Sequence, residues 1–573
     1  MQENPVYILG ISCHYHDSAA VLLKNGEIVF AAEEERFTRK KHDASFPENA
    51  IRCALAHEGI SIDDIAAIGY YEKPMLKFFD RILDTILRIW PKGFIQYQRA
   101  MQEWMGKKLW IRDEIRKKLN YKGDIFFAQH HESHAASAFF ASGFDDATIV
   151  TIDGVGEWAT TTIGFGNGKD LTIKKEIHFP HSLGLLYSAL TYYLGFTVND
   201  AEYKVMGLAP YGQPVYLEKM RELIDLKDDG SFHLNMKYFT YEHGQTMTRC
   251  EIEKFFGQPR RTPESPLTEF HKDVARSLQA LTEEMMLKII RHAKMICPSK
   301  NLCLAGGVAL NCVANGKILR SGLFKNIFIQ PAAGDAGGAL GVALLVWHRQ
   351  FGGKRIGRME HTSLGTSYGE EQIIECLEAK KIPFEQLDDR TLVDTVATLL
   401  DKNCIVGWFQ GRMEFGPRSL GNRSILGDAR KTENWQRINR KIKFRESFRP
   451  FAPTVLAEHA NEYFDLHCDS PFMLLVADVH PDKRSAIPAI THVDGTARIQ
   501  TIRRNQNPRY EDLIEAFNTK TDCPVIINTS FNVQGEPIVE SPDDALRCFL
   551  QTELDVLVLG NCLIRKEAIS RGI

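Results

Sequence analysis

The sequence lacks several features that would assign it to a specialised class of protein. Its 70 lysine and arginine residues are balanced by 73 aspartate and glutamate residues, which gives a formal net charge of −3. It therefore has no basic surplus to attract nucleic acid or an anionic membrane. No low-complexity segment interrupts it, and its longest apolar runs, such as residues 337–347, are too short to span a bilayer. The first residues show no basic segment followed by a cleavable apolar run, so we expect no signal peptide.

Paired cysteines are also lacking. The twelve cysteines are scattered without any CxxC spacing, and four of them lie inside apolar runs: Cys303, Cys312, Cys523 and Cys562. This distribution favours reduced core residues of a cytoplasmic protein over disulfides or a zinc knuckle.

The length and the spacing of turn signals predict two α/β domains. A chain of 573 residues exceeds what one core usually organises. Residues 351–367 are rich in glycine and charge and have little periodicity, so we predict domains of residues 1–355 and 356–573. Residues 6–33 and 148–178 repeat one pattern of strand, polar turn and hairpin, which indicates an internal duplication. That arrangement resembles the actin and sugar-kinase type of ATPase, in which two hairpin turns grip the phosphates of a nucleotide.

Helical patterns fill the space between these strands. They cover residues 46–59, 75–90 and 267–295, and a run that follows residues 331–339. In residues 75–90 an apolar stripe indicates a helix that faces the core, in preference to a membrane or partner helix. The stripe consists of Met75, Phe78, Phe79, Ile82, Leu83, Ile86 and Trp90.

A histidine pair stands at the start of a predicted helix. His130 and His134 are four residues apart, so a helix places both on one face, where two imidazoles can bind one divalent metal. The order HHESH is not the HExxH of zinc proteases, because Glu132 is not placed as the base. By spacing alone, two histidines that are hydrogen-bonded at a helix start remain the better interpretation.

Two acidic residues favour the metal interpretation. Asp153 ends an apolar strand and is followed by Gly154, and Asp335 lies among glycines where a helix begins. Small residues beside an acid allow a phosphate and a metal ion to approach the backbone. A mixed histidine and aspartate set suits iron, manganese or zinc, with phosphate oxygens completing the shell.

A glycine-rich turn follows another predicted strand. Gly306 and Gly307 would allow close approach of an adenosine, and Asn311 could bond its ribose or base. A tight turn between a strand and a helix explains the same residues equally well.

The turn SCHYHDSAA places two histidines between the first strand and its hairpin. Either His14 or His16 could act as the general base for an attacking hydroxyl, and a capped polar turn is the alternative.

A second group of cations lies in the predicted C-terminal domain. Residues 411–430 and 441–453 interleave arginines and lysines with glycines and phenylalanines. Cations on a folded apolar frame suit a small dianion, because a guanidinium binds phosphate with two hydrogen bonds. Ordinary surface salt bridges account for about half of them on general grounds. Asn528 and Ser530 end a nearby strand, where α/β domains usually contact ligands.

Taken together, the ordered motifs resemble the NodU/CmcH family of O-carbamoyltransferases over essentially the whole chain. The residues that carry the resemblance are HDSAA, AEEERFTRKKH, HHESHAASAFF, IDGVGEW, YKVMGLAPYG, LAGGVALNCVANGK, GDAGGALG, EFGPRSLGNRSIL, FRPFAP and NTSFNVQGEPIV.

The resemblance implies two active sites in two α/β domains. A C-terminal domain similar to YrdC would make carbamoyl-adenylate from carbamoyl phosphate and ATP. A duplicated actin-like N-terminal domain, similar to threonylcarbamoyl transferases, would hold that adenylate through Fe²⁺ or another divalent metal and pass the carbamoyl group to a hydroxylated small molecule. ATP would be accompanied by Mg²⁺. The balanced charge predicts no partner of nucleic acid or membrane, and the resemblance leaves the acceptor and the oligomeric state open.

The resemblance also implies roles for individual residues. The metal ligands would be His130, His134, Asp153 and Asp335, with His16 as the base. Contacts to ATP or the adenylate would come from Lys41, Asp153, Gly154, Gly306, Gly307, Asn311 and Asp335. Carbamoyl phosphate and ATP in the second site would contact Arg418, Lys443, Arg449, Arg498, Asn528 and Ser530.

Two other functions compete with this interpretation. A fused tRNA threonylcarbamoyladenosine synthase would use the same domains, but the missing basic surplus argues against a tRNA substrate. An actin-like or chaperone ATPase would have no use for a second site that binds a small dianion.

Overall fold

The computed structural model describes residues 5–91, 94–242, 244 and 246–570. It divides into two compact units. The first runs up to Glu34 and resumes from Ala44 to Arg358; the second takes Glu35–Asp43 and continues from Met359. We predicted domains of residues 1–355 and 356–573, so the structure differs by moving residues 35–43 into the second unit.

The first unit contains two five-stranded sheets with the same topology. The first sheet has the order β3-β2-β1-β4-β5, in which β1, β2 and β3 are antiparallel while β1, β4 and β5 are parallel. Its strands are β1 (Tyr7–Ser12), β2 (Ala19–Lys24), β3 (Glu27–Glu33), β4 (Ile65–Tyr70) and β5 (Asp124–Phe127).

The second sheet repeats this arrangement. Its order is β8-β7-β6-β11-β12, with an antiparallel half and a parallel half as before. The predicted internal duplication is therefore confirmed. The strands of this sheet, with a separate hairpin of β9 and β10, are β6 (Asp146–Ile152), β7 (Ala159–Asn167), β8 (Asp170–His178), β9 (Ile224–Leu226), β10 (Phe232–Leu234), β11 (Asn301–Ala305) and β12 (Asn326–Ile329).

The helices of the first unit pack on these sheets. Helix Asp335–Gln350 is buried along nearly its whole length, because its alanines and glycines let it approach β1 and helix His130–Phe139 closely. The remaining α-helices are Glu48–Glu58, Pro74–Leu76, Asp84–Ile89, Phe94–Gly106, Ile111–Leu119, Leu183–Tyr193, Glu202–Leu208, Leu217–Arg221, Cys250–Phe256, Glu269–Ile296 and Cys312–Arg320.

The predicted helix 75–90 is interrupted by a π-helical stretch over Lys77–Leu83. Its apolar stripe is only partly turned to the core. Phe78 and Ile86 are buried, whereas Met75, Phe79 and Trp90 are at least half exposed. The prediction of a core-facing stripe is therefore wrong for those three residues. Among the described residues, no helix has both the length and the apolar character needed to cross a membrane.

The second unit is built on one mixed sheet. Its nine strands have the order β13-β21-β20-β14-β15-β19-β16-β18-β17, and the pairs β14–β20 and β16–β18 are parallel while the others are antiparallel. The strands are β13 (Glu385–Gln386), β14 (Val406–Phe409), β15 (Arg423–Asp428), β16 (Ala452–Leu456), β17 (Leu475–Asp478), β18 (Thr496–Ile502), β19 (Val525–Ser530), β20 (Val556–Leu559) and β21 (Cys562–Arg565).

The α-helices of the second unit are mostly short. They are Glu35–Thr38, Glu370–Ala379, Asp389–Asp401, Thr432–Arg437, Ala460–Tyr463, Pro508–Thr521, Pro542–Gln551 and Lys566–Ser570, and a π-helical turn covers Ile438–Ile442. All twelve cysteines lie among the described residues and are unpaired, and the four predicted to be core residues are buried.

Candidate active site

Four predicted metal ligands meet in the first unit. His130 and His134 lie in the first turns of helix His130–Phe139, Asp153 follows β6, and Asp335 begins helix Asp335–Gln350. One strand end and two helix starts thus bring the four ligands together. All four side chains are buried, and each offers a ligand atom within 4.8 Å of the others.

The distances between these ligand atoms fit one ion. The Nε2 atoms of His130 and His134 are 3.0 Å apart, His130 Nε2 is 3.0 Å from Asp153 Oδ2, and His134 Nε2 is 3.7 Å from Asp335 Oδ1. Ligands bound about 2.1 Å from one ion lie about 3–4 Å from each other. Asp335 Oδ1 is buried without a hydrogen-bond partner, which is costly unless a cation faces it.

The protonation of the cluster also suits a cation. Burial holds the pKa of His130 well below its usual value, which leaves the neutral imidazole that metals bind. Burial would raise the pKa of Asp153, but its hydrogen bond with His130 and the nearby imidazole of His134 hold it well below the usual range. Burial, together with the negative charge of Asp153, raises the pKa of Asp335 to about 6.

The turn between β1 and β2 separates the two candidate bases. His14 Nε2 lies 2.7 Å from Glu114 Oε2, whereas His16 Nε2 lies 3.9 Å from Asp335 Oδ2. His16 Nδ1 lies 2.9 Å from Asp17 Oδ2, which fixes the ring. His14 and Asp17 both have left-handed backbone, with φ of 71° and 50°, and non-glycine residues in that region cluster at functional sites.

Burial opposes a charge on His16, but Asp335 and Asp17 overcome it and raise the pKa of His16 to about 9. The imidazole beside these two carboxylates is therefore protonated at neutral pH.

The glycine-rich turn lies directly against the cluster. Gly306 has φ of 88°, a conformation that L side chains rarely adopt, and a Cβ there would collide with the carbonyl of Ile152 at the end of β6. The backbone N–H of Gly307 donates to Asp153 Oδ1 at 2.9 Å. The turn thus holds the carboxylate of Asp153 in place. Gly154 follows Asp153 directly.

Asn311 uses its side chain inside the protein. Its Oδ1 accepts the N–H of Ala314 and caps helix Cys312–Arg320, and its amide exchanges hydrogen bonds with the amide of Gln279. Its predicted contact with a ribose or base stays a prediction.

The second predicted set converges at one edge of the nine-stranded sheet. Pairing of Ser424 with Ser530 and of Ala452 with Asn528 puts the beginnings of β15 and β16 beside the end of β19. Arg418 shortly precedes β15 and Arg449 shortly precedes β16. Arg498 lies in β18, the parallel neighbour of β16.

Lys443 is the buried cation of this edge. Its ammonium donates to Ser530 Oγ at 3.1 Å and to the carbonyl of Asn532 at 3.0 Å. Burial and the charges of Arg445, Arg449 and Lys41 hold the pKa of Lys443 well below its usual value. A dianion that reached this edge would relieve that repulsion.

Asn528 and Lys41 also lie in the second unit. The amide of Asn528 donates to Gln500 Oε1 at 2.8 Å, while its Oδ1 is buried without a hydrogen-bond partner. Lys41, which we grouped with the contacts of the first domain, lies in the second unit and acts electrostatically on Lys443. Segment 35–43 packs with the C-terminal unit, and the predicted contact of Lys41 with the adenylate stays a prediction.

Comparison with known proteins identifies the family. A family model described as Carbamoyltransferase N-terminus matches residues 7–344, and one described as Carbamoyltransferase C-terminus matches residues 397–566. The chain belongs to the carbamoyltransferase family. The predicted resemblance and the enzyme class are thereby confirmed.

Relatives of this carbamoyltransferase match along nearly its whole length. An uncharacterized protein of Synechocystis, sll1178, is 51% identical over 597 residues, covering 98% of this chain and 97% of the relative. Nodulation protein NolNO of Sinorhizobium fredii is 41% identical over 567 residues, covering 97% and 80%. Among solved structures, component A of the Acidaminococcus fermentans (R)-2-hydroxyglutaryl-CoA dehydratase is 14% identical, with a TM-score of 0.32, covering 60% of this chain and 98% of that one.

The carbamoyltransferase site also includes residues that sequence reasoning missed. The carboxylate of Glu157 accepts the backbone N–H of His130 at 2.9 Å and that of Lys73 at 2.8 Å, so it holds the start of the histidine helix. Tyr71 donates to Asp335 Oδ2 at 3.4 Å. Glu157 stands in the motif IDGVGEW, which could have pointed to it. Tyr71 lies at the end of an ordinary apolar strand, where no signal marks it.

Three buried charged residues lie within residues 72–81: Glu72, Lys77 and Arg81. Lys77 donates to Glu72 at 2.5 Å, and Arg81 donates to the carbonyl of Gly156 at 2.5 Å. The buried ion pair of Lys77 and Glu72 needs both partners in place, because a buried charge without its partner is strongly destabilising.

Proposed function

We propose that this carbamoyltransferase is an ATP-dependent O-carbamoyltransferase with two sites. The second unit would form carbamoyl-adenylate, and the first would transfer the carbamoyl group to a hydroxyl of a small molecule, a sugar or a natural product. The proposal rests on one observation above all: a buried two-histidine, two-aspartate cluster with His16 lies in one unit, while the cations grouped around Lys443 lie in the other.

The activation step accounts for the cations of the second unit. Carbamoyl phosphate releases inorganic phosphate on hydrolysis to carbamate. A carbamate oxygen then attacks the α-phosphorus of ATP, and pyrophosphate leaves. The phosphates carry the negative charge through this step, so Arg418, Lys443 and Arg449 would bind them by charge-assisted hydrogen bonds, with Arg498, Asn528 and Ser530 beside them.

The transfer step accounts for the cluster of the first unit. His130, His134, Asp153 and Asp335 would hold a divalent ion, which would supply positive charge to stabilise the adenylate phosphate and to offset the two carboxylates near His16. His16 would accept the proton of the acceptor hydroxyl as its oxygen attacks the carbamoyl carbon. AMP is the leaving group. Asp17 would hold the ring so that Nε2 faces the acceptor.

An assay without acceptor tests the activation step. The full-length protein would be given ATP, carbamoyl phosphate and ferrous iron, and the nucleotide products and pyrophosphate would be measured. We expect pyrophosphate and AMP or its carbamoyl derivative, in amounts that depend on carbamoyl phosphate. Conversion of ATP to ADP at a rate indifferent to carbamoyl phosphate would instead favour an actin-like or chaperone ATPase.

The metal can be tested without any activity measurement. His134→Gln should greatly reduce the divalent metal that the purified protein retains after loading and desalting, measured by mass spectrometry of the elements. His131→Gln is the matched control, because His131 lies on the same buried turn but bonds Thr151 Oγ1. Equal metal content in both variants would refute the ligand set.

A screen of hydroxylated metabolites for the mass gain of one carbamoyl group would identify the acceptor. If carbamoylated tRNA formed and no small molecule did, the alternative of a threonylcarbamoyladenosine-type synthase would replace this proposal.

A further inference from the structure

Segment 35–43 belongs to the second unit, although the chain on both sides of it belongs to the first. The residues before Glu35 and after Asp43 are part of the first unit, whereas the segment packs with residues 359 onwards. It contains a single helical turn, Glu35–Thr38, followed by left-handed backbone at Arg39 and His42. Two of its arginines bind backbone carbonyls of the second unit.

Arg36 holds the loop that carries Arg418. Its side chain is buried, and its Nη2 donates to the carbonyl of Gly416 at 2.8 Å. Gly416 has φ of 115°, a conformation that L side chains rarely adopt. A charged hydrogen bond to this carbonyl stabilises a turn that lies close to Arg418 in the chain.

Arg39 holds the loop that follows β19. Its Nη1 donates to the carbonyl of Ile538 at 2.6 Å, and its Nη2 donates to the carbonyl of Pro537 at 2.8 Å. The planar guanidinium therefore binds two successive carbonyls as a fork. The same loop contains Asn532, whose carbonyl and side chain accept hydrogen bonds from Lys443.

Both loops belong to the edge where the second set of site residues converges. One loop carries Arg418 and the other supplies the oxygens that hold Lys443. Lys41 follows Arg36 and Arg39 in the same segment, and its positive charge acts on Lys443.

We propose that segment 35–43 is a structural part of the second site, in which Arg36 and Arg39 are positioning residues for the loops 411–421 and 531–540. This inference rests on the proposed function for the identity of the reaction, but the loop geometry it invokes does not depend on that reaction. The C-terminal residues alone would then form an incomplete site.

The test uses full-length Arg36→Gln and Arg39→Gln proteins. We expect the KM for carbamoyl phosphate in carbamoyl-phosphate-dependent exchange of pyrophosphate into ATP to rise about tenfold or more, the factor expected when one charged hydrogen bond that orders the site is lost. Arg39→Lys should recover part of this loss, because an ammonium can still bind one of the two carbonyls.

Arg437→Gln is the matched control. Arg437 also makes two hydrogen bonds within the second unit, to the carbonyl of Asn403 and to Asp555 Oδ1, but neither partner lies in the two loops. Its KM should stay close to the wild-type value even if its melting temperature falls. If the Arg36 and Arg39 variants lost only thermal stability, as the control does, and kept the wild-type KM, the proposal would be overturned.

Hydrogen exchange separates this proposal from the proposed function. In both arginine variants, amides in residues 411–421 and 531–540 should exchange faster than in the wild-type protein, while the Arg437→Gln protein keeps them protected. If the wild-type enzyme exchanged no pyrophosphate, the proposed function would fail. The amide exchange would still test whether Arg36 and Arg39 position the two loops. Unchanged protection in both loops would refute the positioning role.

Discussion

The two histidines of the β1–β2 turn have different partners although only Tyr15 separates them. His16 faces Asp335 and is held by Asp17, while His14 is paired with Glu114. A general base must reach the proton it removes, and only one of these rings is directed at the cluster.

Replacing each histidine should therefore have unequal effects. We expect His16→Ala to lower kcat for carbamoyl transfer about a hundredfold to ten-thousandfold, the usual contribution of general base catalysis. His14→Ala should cost much less, and both variants should keep carbamoyl-phosphate-dependent pyrophosphate exchange. The measurement is steady-state transfer to an acceptor found in the metabolite screen. A larger loss in the His14 variant would reverse the assignment.

Glu157 makes the stability of the metal-free protein depend on pH. Its side chain is 5% exposed, and burial together with the charge of Glu72 raises its pKa from 4.5 to about 7. A carboxyl with a raised pKa stabilises the folded state fully below pH 4.5, where both states are protonated. That stability is lost as the pH rises through about 7, because the unfolded state ionises first.

Glu157→Gln should remove this dependence. The glutamine stays neutral and keeps one oxygen to accept the backbone N–H groups. The melting temperature of the variant minus that of the wild type should therefore increase from pH 4.5 to pH 8. At most, the free energy of unfolding of the variant should gain about 3 kcal/mol relative to the wild type over this range. Scanning calorimetry of both proteins, in buffer that contains a chelator, measures this difference in melting temperature. A difference that does not change with pH would contradict the role of burial.

Sequence reasoning could identify site residues where a motif marks them and not where packing alone does. His130 and His134 stand at a helix start, and Asp153 and Asp335 stand beside glycines at a strand end and at a helix start, so their convergence could be predicted. Lys41 was assigned to the first site from the family resemblance, yet its segment packs with the second unit. A motif match does not show which unit a short segment packs against.

Among the elements, helix Asp335–Gln350 sets the position of Asp335 relative to His130 and His134. Its first residue is the ligand Asp335, and its middle lies against helix His130–Phe139, which carries both histidines. A Cβ at Gly341 would collide with the carbonyl oxygen of Ser133 on that neighbouring helix. The two helices can approach this closely only because Gly341 has no side chain.

Gly341→Ala should push the two helices apart and misplace Asp335 relative to the histidines. We expect a loss of about 1–3 kcal/mol in stability, as for overpacked cores, and weaker retention of metal. Gly106→Ala is the matched control, since a Cβ at this helix end meets nothing within 4 Å. Thermal unfolding and metal content measure both effects. Normal metal retention in a destabilised Gly341→Ala protein would show that helix spacing does not set the ligand geometry.

Element order could be predicted for the first unit better than for the second. The repeated strand, turn and hairpin pattern is local in sequence, so it revealed the two equivalent sheets. In the nine-stranded sheet, β13 pairs with β21 from the opposite end of the domain, and no local pattern records such a pairing. The stripe of residues 75–90 was assigned to the core by its period alone, but a period does not say whether another element covers it.

At the scale of the whole molecule, the metal cluster and the Lys443 group belong to different compact units. If each unit carries out one step, a substitution in one should leave the chemistry of the other intact, because residues without shared partners contribute independently. This independence distinguishes two active sites from a single composite site.

Arg418→Ala and His130→Ala should separate the two steps. Arg418→Ala should abolish carbamoyl-phosphate-dependent pyrophosphate exchange, since the anions lose a bidentate partner. His130→Ala should retain that exchange and lose transfer to the acceptor, because it removes a metal ligand and leaves the second unit unchanged. Pyrophosphate exchange and acceptor carbamoylation, measured on the same preparations, give both values. If the two variants lost the same step to the same degree, activation and transfer would share one site and the division of labour between the units would be wrong.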